Sequence, residues 1–449
     1  MFYYYNKRGQ INQVNVFCNV TVNNFYFGND YSGAEDKPKD EDIVSEPEEQ
    51  GPEEQDEEKS EPANKNQQLL LCDNSSSPWY WAEAEEENIN DIKEKYLPCK
   101  LDTLRLEQVF QYLKRYDRAY NLNKCGTYLE FELEKGATID KKKLSRINSC
   151  RQRLCTYCAW RRSLRVYTNV RKCCDEIMKR DKGKKHDYQS RFILATLTTR
   201  NCTLENLSNE VNLQLKGFNR LNQYKAFKNA YKGFIRALEV VVDREPLITP
   251  EMYFRKKKCG KEWKYMKDYY DKLGLSIGDE NPNYMRCNVH IHILLHTTYD
   301  IYQGENYITQ EKLTELWQRA CDLDYTPIVD IRSFKAKDRN TKGKELAEIA
   351  KYTVKPTDYL RSEYVSNRVK KGRFDEDFIN DCRVVMFLDE ALSGRRLLAY
   401  GGTFKNIHQK LKLDDEKMID DLEAEKAEKD ILRYYFSFRQ KKYIRIVGQ

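Results

Sequence analysis

No stretch of these 449 residues approaches eighteen uninterrupted apolar positions, which excludes an ordinary membrane-spanning helix. The opening MFYYYNKRGQINQVNV has neither the apolar core nor the small-residue cleavage site of a secretory signal, so a soluble, cytoplasmic protein is expected. In a reducing compartment the fourteen cysteines are thiols or metal ligands, not a disulfide framework. Internal repeats are absent, which sets aside solenoids and propellers. Histidine is scarce: there are five, and three of them crowd into CNVHIHILLH at 287–296.

What is abundant is charge, unevenly spread. Between Glu35 and Glu61 fourteen acidic residues face three lysines, a local charge of −11, so the rest of a chain of net +7 carries +18. That excess favours a polyanion as partner. The 32 tyrosines, interleaved with Lys and Arg, suit stacking on unpaired bases, although most single tyrosines in any chain serve the core or the surface.

Length allows two or three domains. Residues 1–33 hold an alternating run, INQVNVFCNVTVNNFYF, able to pair as a strand. Residues 34–66 are acidic and nearly free of aromatics, and read as a disordered linker. Residues 67–185 are helical, with periodicity from Trp79 to Tyr120, and contain a cysteine cluster. Residues 186–413 alternate strands (192–199, 233–242, the histidine run and 325–334) with helices. A Lys- and Tyr-rich insertion lies at 245–284. This pattern predicts an α+β fold with a largely antiparallel central sheet and flanking helices. The tail, 414–449, reads as a charged helix ending in a short basic strand.

Three constellations carry chemistry. On a strand, residues two apart share a face, so Val289, Ile291, Ile293 and Leu295 face one way and His290, His292, Leu294 and His296 the other. Same-face neighbours are roughly 6.5–7 Å apart. His290 and His292 can therefore share an ion, whereas His296 lies too far along. Glu239 in GFIRALEVVV completes the set if the two strands pair, and mixed imidazole and carboxylate ligands admit Mn²⁺ or Mg²⁺. The spacing alone equally fits a strand with polar decoration. The H-x-T of His296 and Thr298 would need a second copy to form a two-histidine phosphoesterase site, and none exists.

The second constellation is Cys150-x4-Cys155-x2-Cys158, with Cys125 upstream, a knuckle spacing suited to structural zinc. Unliganded loop thiols are the plain alternative. Cys173 and Cys174 read as packing residues. The third is the stretch EIAKYTVK, in which a helix would put Glu348, Tyr352 and Lys355 along one ridge before Pro356 ends it. An acid, a phenol and an ammonium in a row suit phosphodiester cleavage by tyrosine, and they also suit an ordinary surface helix.

The pieces CRQRLCTYCAWRRS, FILATLTT, GFIRALEVVV, VHIHILL, YTPIVDIRSF, EIAKYTVK and GRRLLAYGGTFK, spanning about 125–412, occur in an order that resembles the replication initiators of rolling-circle plasmids from Gram-positive bacteria, a branch of the HUH endonuclease superfamily. The resemblance implies an antiparallel sheet carrying His290, His292 and Glu239 as ligands of a divalent metal, with the cysteine module ahead of it. It implies Tyr352 as the nucleophile that nicks the double-strand origin, leaving a 5′-phosphotyrosyl bond and a 3′-hydroxyl for host polymerase. Glu348 is implied to activate the water of the last cut, and Lys355 to accompany the tyrosine. Plasmid origin DNA, single-stranded DNA, and a host helicase and polymerase are the implied partners; no membrane is involved. Relatives carry a further histidine and a proline where this chain has Asn288-Val289, so no additional imidazole ligand is expected. The 245–284 insertion is basic enough to contact DNA. A relaxase or transposase of the same superfamily, and a non-catalytic zinc-dependent DNA-binding regulator, remain the alternatives.

Overall fold

The computed structural model describes residues 2–5, 11–14, 92–134, 142–259, 262–333, 346–350, 354–416 and 429–446. The chain divides into two units, 1–65 and 66–449. In the first, Phe2–Tyr5 and Ile11–Val14 pair antiparallel, which uses part of the alternating N-terminal run. The acidic stretch 34–66 lies outside the described residues.

The second unit is built on a wholly antiparallel sheet. Across it run Val329–Ser333, Ser190–Thr198, Arg286–Thr298, Gly233–Val242 and Leu398–Gly401, and the short strand Cys202–Thr203 also pairs with Arg286–Thr298. The histidine strand is central and covered on both faces: His292, Leu294 and His296 are buried on one, and Val289, Ile291, Ile293 and Leu295 are fully buried on the other. They pack with the apolar faces of the helices Leu207–Leu221, Gln310–Cys321 and Glu376–Leu392. Fully burying each such side chain contributes about 1.5–3 kcal/mol. On the opposite face Leu294, Leu194 and Ile235 pack with Thr156–Lys179, with Gly402–Lys410 and with a helical segment over 346–350.

The GRRLLAYGGTFK block gains a structural meaning here. Leu398–Gly401 is the edge strand beside Gly233–Val242, and the chain turns at once into the helix Gly402–Lys410. Gly402 sits at φ +54, where a Cβ would collide with the Lys232 carbonyl, so only glycine makes the turn.

A second antiparallel sheet runs in the order Lys442–Ile446, Lys429–Ser437, Tyr128–Glu134, Lys143–Ile147. The expected helix of the tail is corrected by it: Lys429–Ser437 is a strand. Its alternation explains why. Leu432, Tyr434 and Phe436 turn toward the core while Ile431, Arg433 and Tyr435 are exposed, a period of two that a helix cannot use. The rest of the expected tail helix, 417–428, lies outside the described residues. Chain-terminal strands thereby close onto strands that flank the cysteine cluster.

The ridge expected over Glu348, Tyr352 and Lys355 is corrected at its Lys355 end, while Tyr352 lies outside the described residues. Lys355 is extended (φ −72, ψ 141) and precedes the short helix Pro356–Tyr359, because a residue before proline is pushed out of the helical region. What holds this segment is a buried ion pair. Arg244, just past the Glu239 strand, meets Asp381 at 2.9 Å with both side chains sealed from solvent. Asp381 also accepts from the Arg361 and Ser362 amides, and the Val242 amide donates to Asp358 at 3.3 Å. Residues 358–362 are thus fastened to the end of the strand that carries Glu239.

Candidate functional site

Register decides the first cluster. Glu239 stands directly opposite His290 in the antiparallel pair, and the carboxylate leans so that one oxygen, Oε2, lies 3.0 Å from His290 Nε2 and 2.8 Å from His292 Nε2. Octahedral donors about 2.1 Å from a Mg²⁺-sized ion lie about 3.0 Å from one another. The two observed distances match two edges of such a shell, and the donor set suits Mn²⁺ or Mg²⁺.

Each imidazole is oriented from behind. His290 Nδ1 lies 3.0 Å from Asn288 Oδ1, and His292 Nδ1 lies 3.2 Å from the Thr196 hydroxyl. Asn288 is itself held by Asn201, and Asn201 by Asn283. Such partners fix the rings of ligating histidines with Nε2 forward. Spacing arguments missed both Asn288 and Thr196. The available signal was that Asn288 falls two residues before His290 on the same face.

Electrostatics agree with a cation site. Burial alone would raise the Glu239 carboxyl, yet hydrogen bonds from the two imidazoles hold it well below the usual carboxylate range. Burial lowers His292, while Glu239 and, more weakly, the Glu348 carboxylate raise it. Glu348 thus lies near the cluster, on the 346–350 segment that packs against the same sheet face. Lys355 lies near Asp358, whose carboxyl burial pushes up to about 7, with Lys355 opposing the rise and Glu239 adding to it. Tyr352 lies outside the described residues, between Ala350 and Val354. His296 plays no part: it is buried further along the strand, 2.8 Å from Thr403 Oγ1 and 2.9 Å from Ser190 Oγ.

The second cluster joins all four expected cysteines. Cys125 Sγ is 3.6 Å from both Cys155 Sγ and Cys158 Sγ, and Cys150 Sγ is 3.7 Å from Cys158 Sγ. Tetrahedral thiolates at about 2.3 Å from zinc would be about 3.8 Å apart, so the cage fits that ion. Cys155 caps the helix Thr156–Lys179 and Cys158 sits in its first turn. The Cys150 amide donates to Cys125 Sγ at 3.4 Å. Burial alone would raise Cys155, but hydrogen bonds from the other three thiols pull it well below the usual thiol value. A residue unseen in the sequence completes the surroundings. Lys100, fully buried, donates at 2.7 Å to the carbonyls of Cys125 and Asn123 and lies 5.5 Å from the rings of Phe436 and Phe438. Its ammonium offsets thiolate charge and fastens the tail strand to the cage. Cys173 and Cys174 are buried in the core, as packing residues should be.

By fold and site this is an α+β protein in which one helix links a four-thiol cage to an antiparallel sheet bearing a two-imidazole, one-carboxylate donor set. A family model described as replication protein matches residues 141–444, and the chain belongs to that family, the rolling-circle replication initiators of plasmids from Gram-positive bacteria. A protein named Protein rep from Bacillus amyloliquefaciens is 32% identical over 327 residues, covering 70% of this chain and 79% of its own length. Another Protein rep, from a Bacillus species, is 32% identical over 311 residues, 66% of this chain and 82% of its own. A third, from Lentilactobacillus hilgardii, is 29% identical over 320 residues, 70% and 82% respectively. No solved structure matches. Among the described residues no helix is long and apolar enough to cross a membrane.

Proposed function

We propose that this initiator is a metal-dependent, site-specific DNA endonuclease that nicks and rejoins one strand of its plasmid origin through Tyr352. The observation that carries the reading is the convergence of Glu239 Oε2 with both imidazole Nε2 atoms on the sheet face that also receives the Glu348 segment. Glu239, His290 and His292 would hold a Mn²⁺ or Mg²⁺ ion, which when bound polarises a phosphate oxygen. The chain's own residues do the rest. The Tyr352 oxygen bonds to phosphorus as the phosphorus–O3′ bond breaks, giving a 5′-phosphotyrosine and a 3′-hydroxyl that receives the leaving proton. Lys355 supplies positive charge near the Glu239 end of the site, which favours both phenolate and phosphate. Glu348 takes a proton from water in the final cut, so that termination is a hydrolysis. The Cys125, Cys150, Cys155 and Cys158 cage would hold zinc as a structural element beside this centre.

The test is a cleavage assay on a labelled single strand carrying the origin, with Mn²⁺, with Mg²⁺ and with chelator. Metal-dependent nicking with a covalent protein–DNA band, absent in Tyr352→Phe, is the expected outcome. Tight binding without cleavage by the wild type would favour a non-catalytic regulator built on the cysteine module. Cleavage by Tyr352→Phe would displace the tyrosine alone from the mechanism.

A further inference from the structure

A cavity of about 570 Å³ opens beside the histidine face, between the helix Thr156–Lys179, the Glu239 strand and the segment leading into Gly402–Lys410. Ala237, two residues from Glu239 on the same face, lines it, as do Ile349 and Ala350 of the Glu348 segment. Its charged lining is mostly positive: Arg153, Arg162, Arg395, Arg396 and Lys405 against Asp414, Asp415 and Glu416. Among the described residues Arg396 and Lys405 have no carboxylate partner. Arg153 and Arg162 are close enough to repel one another, and Glu416 offsets that repulsion.

The three acids are consecutive and are set against this lining. Glu416 Oε2 accepts from Arg162 at 3.0 Å through Nε and 2.9 Å through the terminal nitrogen. Asp415 is anchored, accepting from Asn169 at 2.8 Å and from the Tyr400 hydroxyl at 3.1 Å, with His408 at 3.3 Å. Anchor and contact differ in strength. Asp415 is half-buried among three partners, whereas the Glu416 side chain is 67% exposed on a guanidinium that is 22% exposed. An ion pair with one partner in water is weak and easily exchanged for another anion, and a guanidinium fork receives phosphate as readily as carboxylate.

We propose that this cavity is a second contact for single-stranded DNA, taking backbone phosphate beside the metal centre, and that Glu416 occupies it as an internal competitor held in place by Asp415. The inference rests on the reading of the chain as a protein that takes origin DNA as a single strand. Arg162 belongs to the helix of the cysteine module, so this module would touch the strand while the sheet acts on it.

The test reads binding rather than cutting. A short fluorescein-labelled single strand of mixed sequence is titrated with full-length protein, without chelator and without added Mn²⁺ or Mg²⁺, at several salt concentrations, for wild type, Glu416→Gln, Arg162→Ala and the double variant. Glu251→Gln, the same charge change on an exposed residue of another element, is the control. Expected is a several-fold gain for Glu416→Gln, with a salt slope steeper by about 0.7, the value for one more single-strand phosphate contact. That gain should be absent from the Arg162→Ala background and larger than the effect of Glu251→Gln. Equal gains from Glu416→Gln and Glu251→Gln, a gain that survives Arg162→Ala, or no binding by any variant would each overturn the proposal. Because binding and not cleavage is read, and no Mn²⁺ or Mg²⁺ is added, the result is independent of whether Tyr352 is the nucleophile.

Discussion

The cysteine cage and the histidine cluster are both donor sets suited to a metal, but they are built in opposite ways. The cage draws its ligands from a loop, a helix cap and a helix turn spread over Cys125 to Cys158, and only burial and the ion would hold four thiolates together. The histidine cluster is written into backbone hydrogen bonding: His290 and His292 are two residues apart on one strand, and register places Glu239 opposite. If the cage holds zinc, the first region would depend on its metal to fold, whereas the second has its geometry before any metal arrives. The helix Thr156–Lys179 connects them, with its N-terminal turn in the cage and Val166, Val170 and Ile177 packed on the histidine face.

The comparison is broken most forcefully at the cage. Cys155→Ser should reduce bound zinc by one ion per chain in atomic absorption and cost several kcal/mol of stability in denaturant unfolding, since structural zinc contributes on the order of 10 kcal/mol to small modules. If Cys155→Ser bound no less zinc and melted like the wild type, the cage would be four ordinary buried thiols. At the sheet the expectation reverses. Glu239→Gln should slow nicking by about a thousandfold, the loss of roughly 4 kcal/mol of transition-state stabilisation, while the thermal midpoint and the zinc content stay close to wild type. A collapse of the fold in that variant would show that the second site is no more preformed than the first.

The smallest effect sharpens the picture. Asn288→Ala removes the group behind His290 without touching a ligand, so Mn²⁺ affinity measured by titration should weaken about 10–100-fold, with nicking restored at saturating metal. A rate defect persisting at saturation would instead place Asn288 against the DNA.

Much of this was legible in the chain because it is local. Alternation in CNVHIHILLH assigned two faces and separated His290 and His292 from His296. Knuckle spacing collected Cys150, Cys155 and Cys158, while Cys125, 25 residues upstream, was a weaker candidate that the fold brings to the other three. What failed was also local reasoning. The tail was read as a helix because charge dominates it, yet Leu432 and Phe436 had a core to enter only when Tyr128–Glu134 offered an edge. The ridge through Lys355 assumed that the helix ran up to proline, whereas the preceding residue is already extended.

The residue types and their spacing by themselves marked candidate ligands among the cysteines and histidines, and determined a strand with one polar face and a surplus of positive charge outside an acidic stretch. Tertiary structure alone decided that Glu239 meets both imidazoles at one oxygen, that Asn288 and Thr196 aim the rings, that Lys100 sits beneath the cage, and that Glu416 rests on Arg162. The physical reason is sequence distance. Side-chain periodicity reports neighbours a few residues apart, while register across strands and the pairing of charge join residues 51 and 254 positions apart and exist only once the chain has closed on itself.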